Sequence, residues 1–461
     1  MLPPFRFLDI YTHVIYNEEN ENGGISMLKP GKNTKFYLSL VIFALVGQVA
    51  WVMENMYLNV FIYKMFNASA GQISWMVSAS AVAATVTTLL IGALSDKLGK
   101  RKIFICAGYI AWGVSILGFA LIREDVIHHT FFPMVSYNGA ALGLCITLTI
   151  VLDCVMTFFG SSANDAAFNA WLTDATDETN RGKIEGINSM MPLVAILVVF
   201  GGFMSLNQDL QESWTVIFCV IGGVVLALGI AGFFLIEEST AKTEENAHYF
   251  ANIVYGFRPS VIKSNLRLYG ALAALALFNI SIQIFMPYLI LYYQVSLGMD
   301  NYVLIFAPAI ILAAAFTGFY GKIYDKKGFT FAILPTLSLL AAGYIILYFA
   351  RATAPVFIGS LLMMCGYLST GAMLGALIRD CTPEKKAGMF QGLRIIGQVL
   401  IPGVIGPAIG AAILSGAEMV VNSDGTESFV PNENIFLGAL IALVVTFAAL
   451  ILLFKLLKKK Q

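Results

Sequence analysis

Gly92-Ala93-Leu94-Ser95-Asp96-Lys97-Leu98-Gly99-Lys100-Arg101-Lys102 ends a long apolar run, and its skeleton returns as Gly321-Lys322-Ile323-Tyr324-Asp325-Lys326-Lys327-Gly328. Both copies carry Gly-x-x-x-Asp-x-x-Gly with basic residues alongside, and they stand 229 residues apart. A second match lays Leu172-Thr173-Asp174-Ala175-Thr176, then Arg181-Gly182 and Glu185-Gly186, on Ile378-Arg379-Asp380-Cys381-Thr382, then Ala387-Gly388 and Gln391-Gly392. It needs no gap and has an offset of 206. The offsets differ by 23 residues, and the longer polar stretch around Arg123 to Asn138 absorbs most of the difference. The chain reads as two repeated halves.

What surrounds these motifs sets the solvent. The chain is 58% hydrophobic and 12% charged, against about a quarter charged in a soluble domain, and its mean hydropathy is +0.78. A bilayer is the solvent for most of it. Twelve apolar runs are each long enough to span as helices, at 36–62, 71–95, 102–122, 136–170, 184–206, 214–236, 264–293, 301–324, 329–350, 354–379, 388–415 and 434–456. The fourth is long enough to include an outer entry segment. Of 28 Lys and Arg, 24 fall in or beside loops on one side, and Lys64, Arg123 and Arg351 on the other; Arg394 lies within a span. That bias places both termini in the cytoplasm. The expected fold is an all-α membrane protein of two pseudo-symmetric six-helix bundles.

The division runs as follows. Residues 1–35 form an N-terminal tail without the apolar core of a signal peptide, with Met27 as an alternative start. Residues 36–236 form the first bundle, 237–263 a cytoplasmic linker, 264–456 the second bundle and 457–461 a basic tail. In the linker, Phe250, Ile253, Val254 and Phe257 recur at helical spacing, as a short amphipathic strap or a linker with a sticky face would. Repeated halves are the usual construction of secondary transporters.

The loop at Gly92 to Lys102 resembles the signature loop of the major facilitator superfamily. Within it, Asn164-Asp165-Ala166-Ala167-Phe168-Asn169-Ala170-Trp171-Leu172-Thr173-Asp174, running on to Arg181-Gly182, is similar to the glycoside–pentoside–hexuronide cation symporters, the melibiose-permease-like and sucrose-transporter-like carriers. The superfamily likeness covers the chain from about Lys35 onward. It implies a twelve-helix fold and alternating access, and the branch implies uptake of a sugar or glycoside driven by Na⁺ or H⁺. Where melibiose-permease-like carriers hold two acids four residues apart on the second helix, this chain has Ala84 and Thr88. That departure argues against a sodium site of that type and favours a proton. As gate elements the motifs nominate Gly92, Asp96, Gly99, Arg101, Asp165, Asp174, Arg181, Asp325, Asp380 and Arg394, with Asp96 latching a closed state. Arg394 has the alternative of snorkelling to the interface.

Charges at membrane depth are functional candidates by default. Asp153 lies near the middle of the fourth span, where Thr149, Asp153, Thr157 and Ser161 recur every four residues and so share one helix face. Glu54 lies among Trp51, Asn55, Tyr57 and Asn59, a mixture of acid, amides and aromatics suited to a polyhydroxylated ligand or to interfacial anchoring. Asp153 and Glu54 are the expected coupling groups. Trp51, Asn55, Tyr57, Asn59, Thr149 and Thr157, with Asn279, Gln283, Tyr288 and Tyr292 on the seventh span and Gln398 on the eleventh, are the expected solute contacts. Pro402-Gly403-Val404-Ile405-Gly406-Pro407-Ala408-Ile409-Gly410 is read as close packing with a kink.

No His-x-x-x-His, Walker loop or Gly-x-Ser-x-Gly elbow occurs. Neither enzyme chemistry, a metal, a cofactor nor a nucleic-acid partner is expected. The six cysteines are expected to be free thiols and the adjacent His128 and His129 solvated loop residues. The expectation is a multi-pass cell-membrane carrier, monomeric, moving a small polar solute with H⁺ or Na⁺. The rivals are an exporter of drugs or amphipaths, a lipid carrier and, in another class, a membrane sensor or scaffold.

Overall fold

The computed structural model describes residues 32–131, 140–175, 181–238, 256–382, 392–422 and 426–458. Among them are twelve helices long and apolar enough to cross a membrane. They are α1 (Lys35–Phe66), α2 (Ala70–Gly92), α3 (Arg101–Phe119), α4 (Ala140–Asp174), α5 (Gly186–Phe203), α6 (Gln211–Leu235), α7 (Leu266–Ser296), α8 (Val303–Lys327), α9 (Phe329–Phe349), α10 (Thr353–Cys381), α11 (Gly392–Leu414) and α12 (Asn434–Lys455). Each overlaps one of the twelve apolar runs, because hydrocarbon leaves a backbone no alternative but to satisfy itself along the helix. Phe250, Ile253 and Val254 of the strap and residues 136–139 before α4 lie outside the described residues, while Phe257 is exposed.

Helices α1 and α3 start, and α4 and α6 finish, at one end of the bundle. Lys35 Nζ stands 4.0 Å from Glu237 Oε1 there, and Arg101 reaches both Asp174 and Glu238. This basic end also carries the Gly99 turn, and the opposite, far end carries a hairpin absent from the sequence reading: β1 (Met419–Val421) pairs antiparallel with β2 (Glu427–Phe429). Short helices at Glu124–Phe131 and Pro259–Ser264 complete the connections. His128 is partly exposed and His129 exposed on the first of them. The six cysteines are free thiols.

The packing repeats. α1 packs on α5 and α6, α2 on α4, and α3 on α4 and α6; six helices on, α7 packs on α11 and α12, α8 on α10, and α9 on α10 and α12. Between the halves, α2 meets α11 and α5 meets α8. The two repeated loops also end alike. Gly99 and Gly328 take positive φ of 61° and 78°, and each donates its N–H four residues back, to Ser95 at 3.0 Å and Tyr324 at 2.8 Å. The helix of α2 continues to Leu98 as that of α8 does to Lys327, and a side chain is strained at such a positive φ, so the repeated glycine stops the helix at the same point in both copies.

Lipid offers helices no hydrophobic drive to associate, so close approach between backbones has to hold them together. A Cβ on Gly113 of α3 would stand 2.7 Å from Leu226 Cα, and one on Gly343 of α9 would stand 2.5 Å from the Met363 backbone N. In the proline-glycine run of α11, Gly403 faces Ala81, Gly406 faces Gln283 and Gly410 faces Tyr288, which is close packing. Gly343→Leu is therefore expected to destabilise the purified protein by about 1–3 kcal/mol, the cost of overpacking a filled interface. Gly318→Ala, with nothing within 4 Å of its new Cβ, should hold or raise the thermal midpoint in detergent, since alanine is the better helix former. Equal midpoints for the two variants would refute this account of the α9–α10 contact.

Candidate functional site

Two π-helical turns interrupt the membrane helices where the acids lie: Met53–Tyr57 in α1 and Ser161–Phe168 in α4. Such turns add a residue to the ladder, re-aim the side chains around them and are frequent at functional sites. Here they flank a cluster of carboxyl groups. Glu54 is 6% and Asp153 2% exposed, and Asp165 is partly buried. Ser80 Oγ donates to Glu54 Oε1 at 2.6 Å, Thr157 Oγ1 donates to the same oxygen at 2.8 Å, and Ser161 Oγ donates to Asp165 Oδ2 at 3.0 Å. The charge of Glu54 acts on Asp153, and that of Asp165 on Glu54. Among the described residues none of the three makes an ion pair. Glu54 Oε2 and Asp153 Oδ1 are buried with no hydrogen-bond partner at all.

A carboxylate taken out of water without a countercharge is unstable by several kcal/mol, and adjacent ones repel in addition. Carboxyl groups placed in this way are stable only when their charge is neutralised. The polar stripe of α4 is buried along its length, with Thr149, Thr157 and Ser161 all at 0% exposure. Thr149 bonds back to Cys145 O at 2.8 Å. Ser80 was not legible as a site residue: it is one hydroxyl among many in α2, and its role exists only because α2 crosses α4 there.

The second half holds a cavity of about 230 Å³ lined by side chains of α7, α10 and α11. Asn279, Tyr367, Arg394 and Gln398 supply its polar groups and Leu275, Phe278 and Leu368 its apolar wall, while Gly371, Ala372 and Gly375 leave the α10 side bare. A further π-helical turn, Ile396–Leu400, sits beside it and contains Gln398. Arg394 Nε donates to Gln398 Oε1 at 3.3 Å, and Asn279 Nδ2 donates to Gln398 O at 3.5 Å.

Other nominated residues lie elsewhere. Trp51 is half-buried against Trp112, with ring centroids 5.0 Å apart, and its Nε1 donates to Asn164 Oδ1 at 3.4 Å. Asn55 is exposed and donates to Trp51 O, while Asn59 is buried and donates to Asn55 O. Tyr57 points away from Glu54, among Phe200 and Trp214. Gln283 is half-buried against Gly406. Tyr288 spans the halves by donating to Ala70 O and Pro407 O at 3.0 and 3.3 Å. Tyr292 donates to Leu347 O at 3.4 Å and packs against Phe436, inside the second half.

At the basic end, Arg101 Nε meets Asp174 Oδ2 at 3.1 Å and its Nη1 donates to Ser95 Oγ at 2.8 Å. Glu238 Oε1 accepts from the N–H groups of Arg101 and Lys102 at 2.7 and 3.1 Å. An acid here caps the α3 N-terminus, where orphan donors and the helix dipole favour negative charge. Asp325 and Asp380 are exposed at the ends of α8 and α10. The side chains of Asp96 and Arg181 lie outside the described residues.

At the far end the halves are held together. Tyr63 OH donates to Phe429 O at 2.6 Å, Asn67 Nδ2 to Thr426 Oγ1 at 2.8 Å, and Asn422 Nδ2 and Ser428 Oγ to Asn67 Oδ1 at 3.2 and 3.1 Å. Gln294 Nε2 donates to Gln208 Oε1 at 2.9 Å, and Phe200 packs on Tyr302 and Phe306.

The family model described as Major Facilitator Superfamily matches residues 38–407. Among solved structures, a point variant of the nucleoside transporter NupG superposes with a TM-score of 0.67 at 13% identity, over 90% of this chain and 99% of that one. A bacterial homolog of the human lysosomal transporter Spinster, inward-facing and occupied, gives 0.67 at 15% identity, over 93% and 98%. The inward-open xylose transporter XylE from E. coli gives 0.65 at 12% identity, over 90% and 95%. At these identities the likeness is one of fold. No curated protein matches the sequence.

Proposed function

Because the chain belongs to the Major Facilitator Superfamily, and so is a multi-pass secondary transporter of the cell membrane and not an enzyme, we propose that it is a cation-coupled symporter of a small polar solute, a sugar or glycoside in the first instance. The observation that carries this reading is the buried carboxyl cluster of Glu54, Asp153 and Asp165, which has no ion-pair partner among the described residues. A carrier coupled to a gradient needs a group at membrane depth whose charge is neutralised in one state and released in another. Two adjacent acids with free oxygens meet that need. Ala84 and Thr88 in place of the symporter acids favour H⁺ over Na⁺.

The basic end belongs in the cytoplasm under the positive-inside rule, so the far end faces outward. The far-end hydrogen bonds then close the outer side, and the α7–α10–α11 cavity on the basic-end side faces the cell interior, as an inward-facing state requires. The packing that recurs six helices on and the paired Gly99 and Gly328 turns support two bundles related by a pseudo-two-fold axis. Arg101, Asp174 and Glu238 tie α2, α3, α4 and α6 into one unit that can tilt as a body. The apolar wall of the cavity favours an amphipathic cargo as the second reading, and Asn279, Arg394 and Gln398 weigh against it.

Reconstituted protein should accumulate a labelled sugar from a panel only when an inward H⁺ or Na⁺ gradient is imposed. Equilibration to equal concentrations under every gradient would remove the symport reading and leave a facilitator.

A further inference from the structure

We propose that the α7–α10–α11 cavity takes the solute by an anionic group, a carboxylate or phosphate, held on the Arg394 guanidinium. The assignment rests on reading the chain as a solute carrier, but not on which ion drives it. Three observations carry it. Arg394 lies near the basic-end start of α11, and its side chain lines the cavity. Its Nε turns toward Gln398, one turn deeper into α11. The rest of the wall suits the rest of a solute: Asn279 and Gln398 are amides, and the Phe278 and Tyr367 rings stack at 21° with centroids 6.3 Å apart.

The distribution of charge points the same way. The first half carries the acids and the second half's cavity carries the base. A solute anion on Arg394, with a proton on the carboxyl cluster, would cross together with little net charge, which the hydrocarbon favours. Arginine suits this role because its planar fork meets two oxygens of a carboxylate or phosphate at once, and such charge-assisted pairs are about twice as strong as neutral ones.

The vacant side of the cavity supplies an independent handle. A Cβ on Gly375 would meet nothing within 4 Å, so Gly375→Leu should fold and fill the space from α10.

Isothermal titration of the purified full-length protein in detergent, with no gradient, tests the proposal. The probes are matched pairs: glucuronate against glucose, gluconate against sorbitol, glucose 6-phosphate against glucose. At least one acid should bind about tenfold or more tightly than its neutral partner. Arg394→Gln should abolish that preference, Arg394→Lys should keep a weakened one, and Gly375→Leu should lose both partners of the pair. Should Arg394→Gln fail to fold, the Lys and Leu variants still decide. No acid preference in any pair overturns the proposal, as does a preference that Arg394→Gln retains or binding that Gly375→Leu leaves intact. A carboxylate-only or phosphate-only preference identifies the anion. Because binding is read without a gradient, failure here leaves the symport reading standing, and failure of gradient-driven uptake leaves this one standing.

Discussion

Asp153→Asn is expected to abolish gradient-driven accumulation while counterflow survives. One pH unit is worth about 1.4 kcal/mol per proton, enough for about tenfold accumulation of a solute that is coupled one to one. In the variant that ratio should fall to one. Asparagine keeps the shape of the side chain and stays buried next to Thr157 and Glu54, so the helix packing around it is not disturbed. What it loses is the capacity to take up and release a proton or to hold a cation. Counterflow exchanges labelled for unlabelled solute without net ion movement and should persist at a good part of the parent rate. Glu54→Gln should behave alike, since its amide oxygen can still accept from Ser80 and Thr157. Parent-like accumulation by Asp153→Asn would make that residue structural, with Glu54 next to be tested. Loss of counterflow as well would move Asp153 into solute binding.

The helices were legible because their cause is local. About twenty apolar residues in a row leave one structure available in hydrocarbon, and the repeated Gly-x-x-x-Asp-x-x-Gly fixed where α2 and α8 stop. Asp153 and Glu54 stood out for the same reason, since a charge amid apolar residues is visible at its own position. Their neighbours did not. Glu54 and Tyr57 are three residues apart, yet the π-helical turn and the crossing of α5 and α6 send Tyr57 into an aromatic cluster. Ser80, Tyr367 and Gly375 matter only through which helices cross beside them. The far-end hairpin escaped notice because three-residue strands carry too short an alternation to register, and their partner, Asn67, lies more than 350 residues away in sequence.

That hairpin sets the second expectation: covalently joining position 67 to position 426 should stop transport. The side chains of Asn67 and Thr426 meet at 2.8 Å, one beyond the end of α1 and the other just before β2. The hydrogen bonds from Tyr63, Asn67, Asn422 and Ser428 are worth about 0.5–1.5 kcal/mol each in net terms. Together they amount to a few kcal/mol, which holds the far end shut yet lets binding energy or an ion gradient reopen it. A covalent bond cannot be reopened that way. Asn67→Cys with Thr426→Cys, made in a background without the native cysteines and joined by oxidation or a short thiol cross-linker, should reduce turnover to background. Reduction of the disulfide should restore it, and each single variant should transport throughout. Solute binding from the basic end should survive in the locked protein, because the cavity at Arg394 and Gly375 lies on that side. Locked protein that still transports at the parental rate would show that these faces do not part during turnover, and the inward-facing, outwardly closed reading of this state would fall with them.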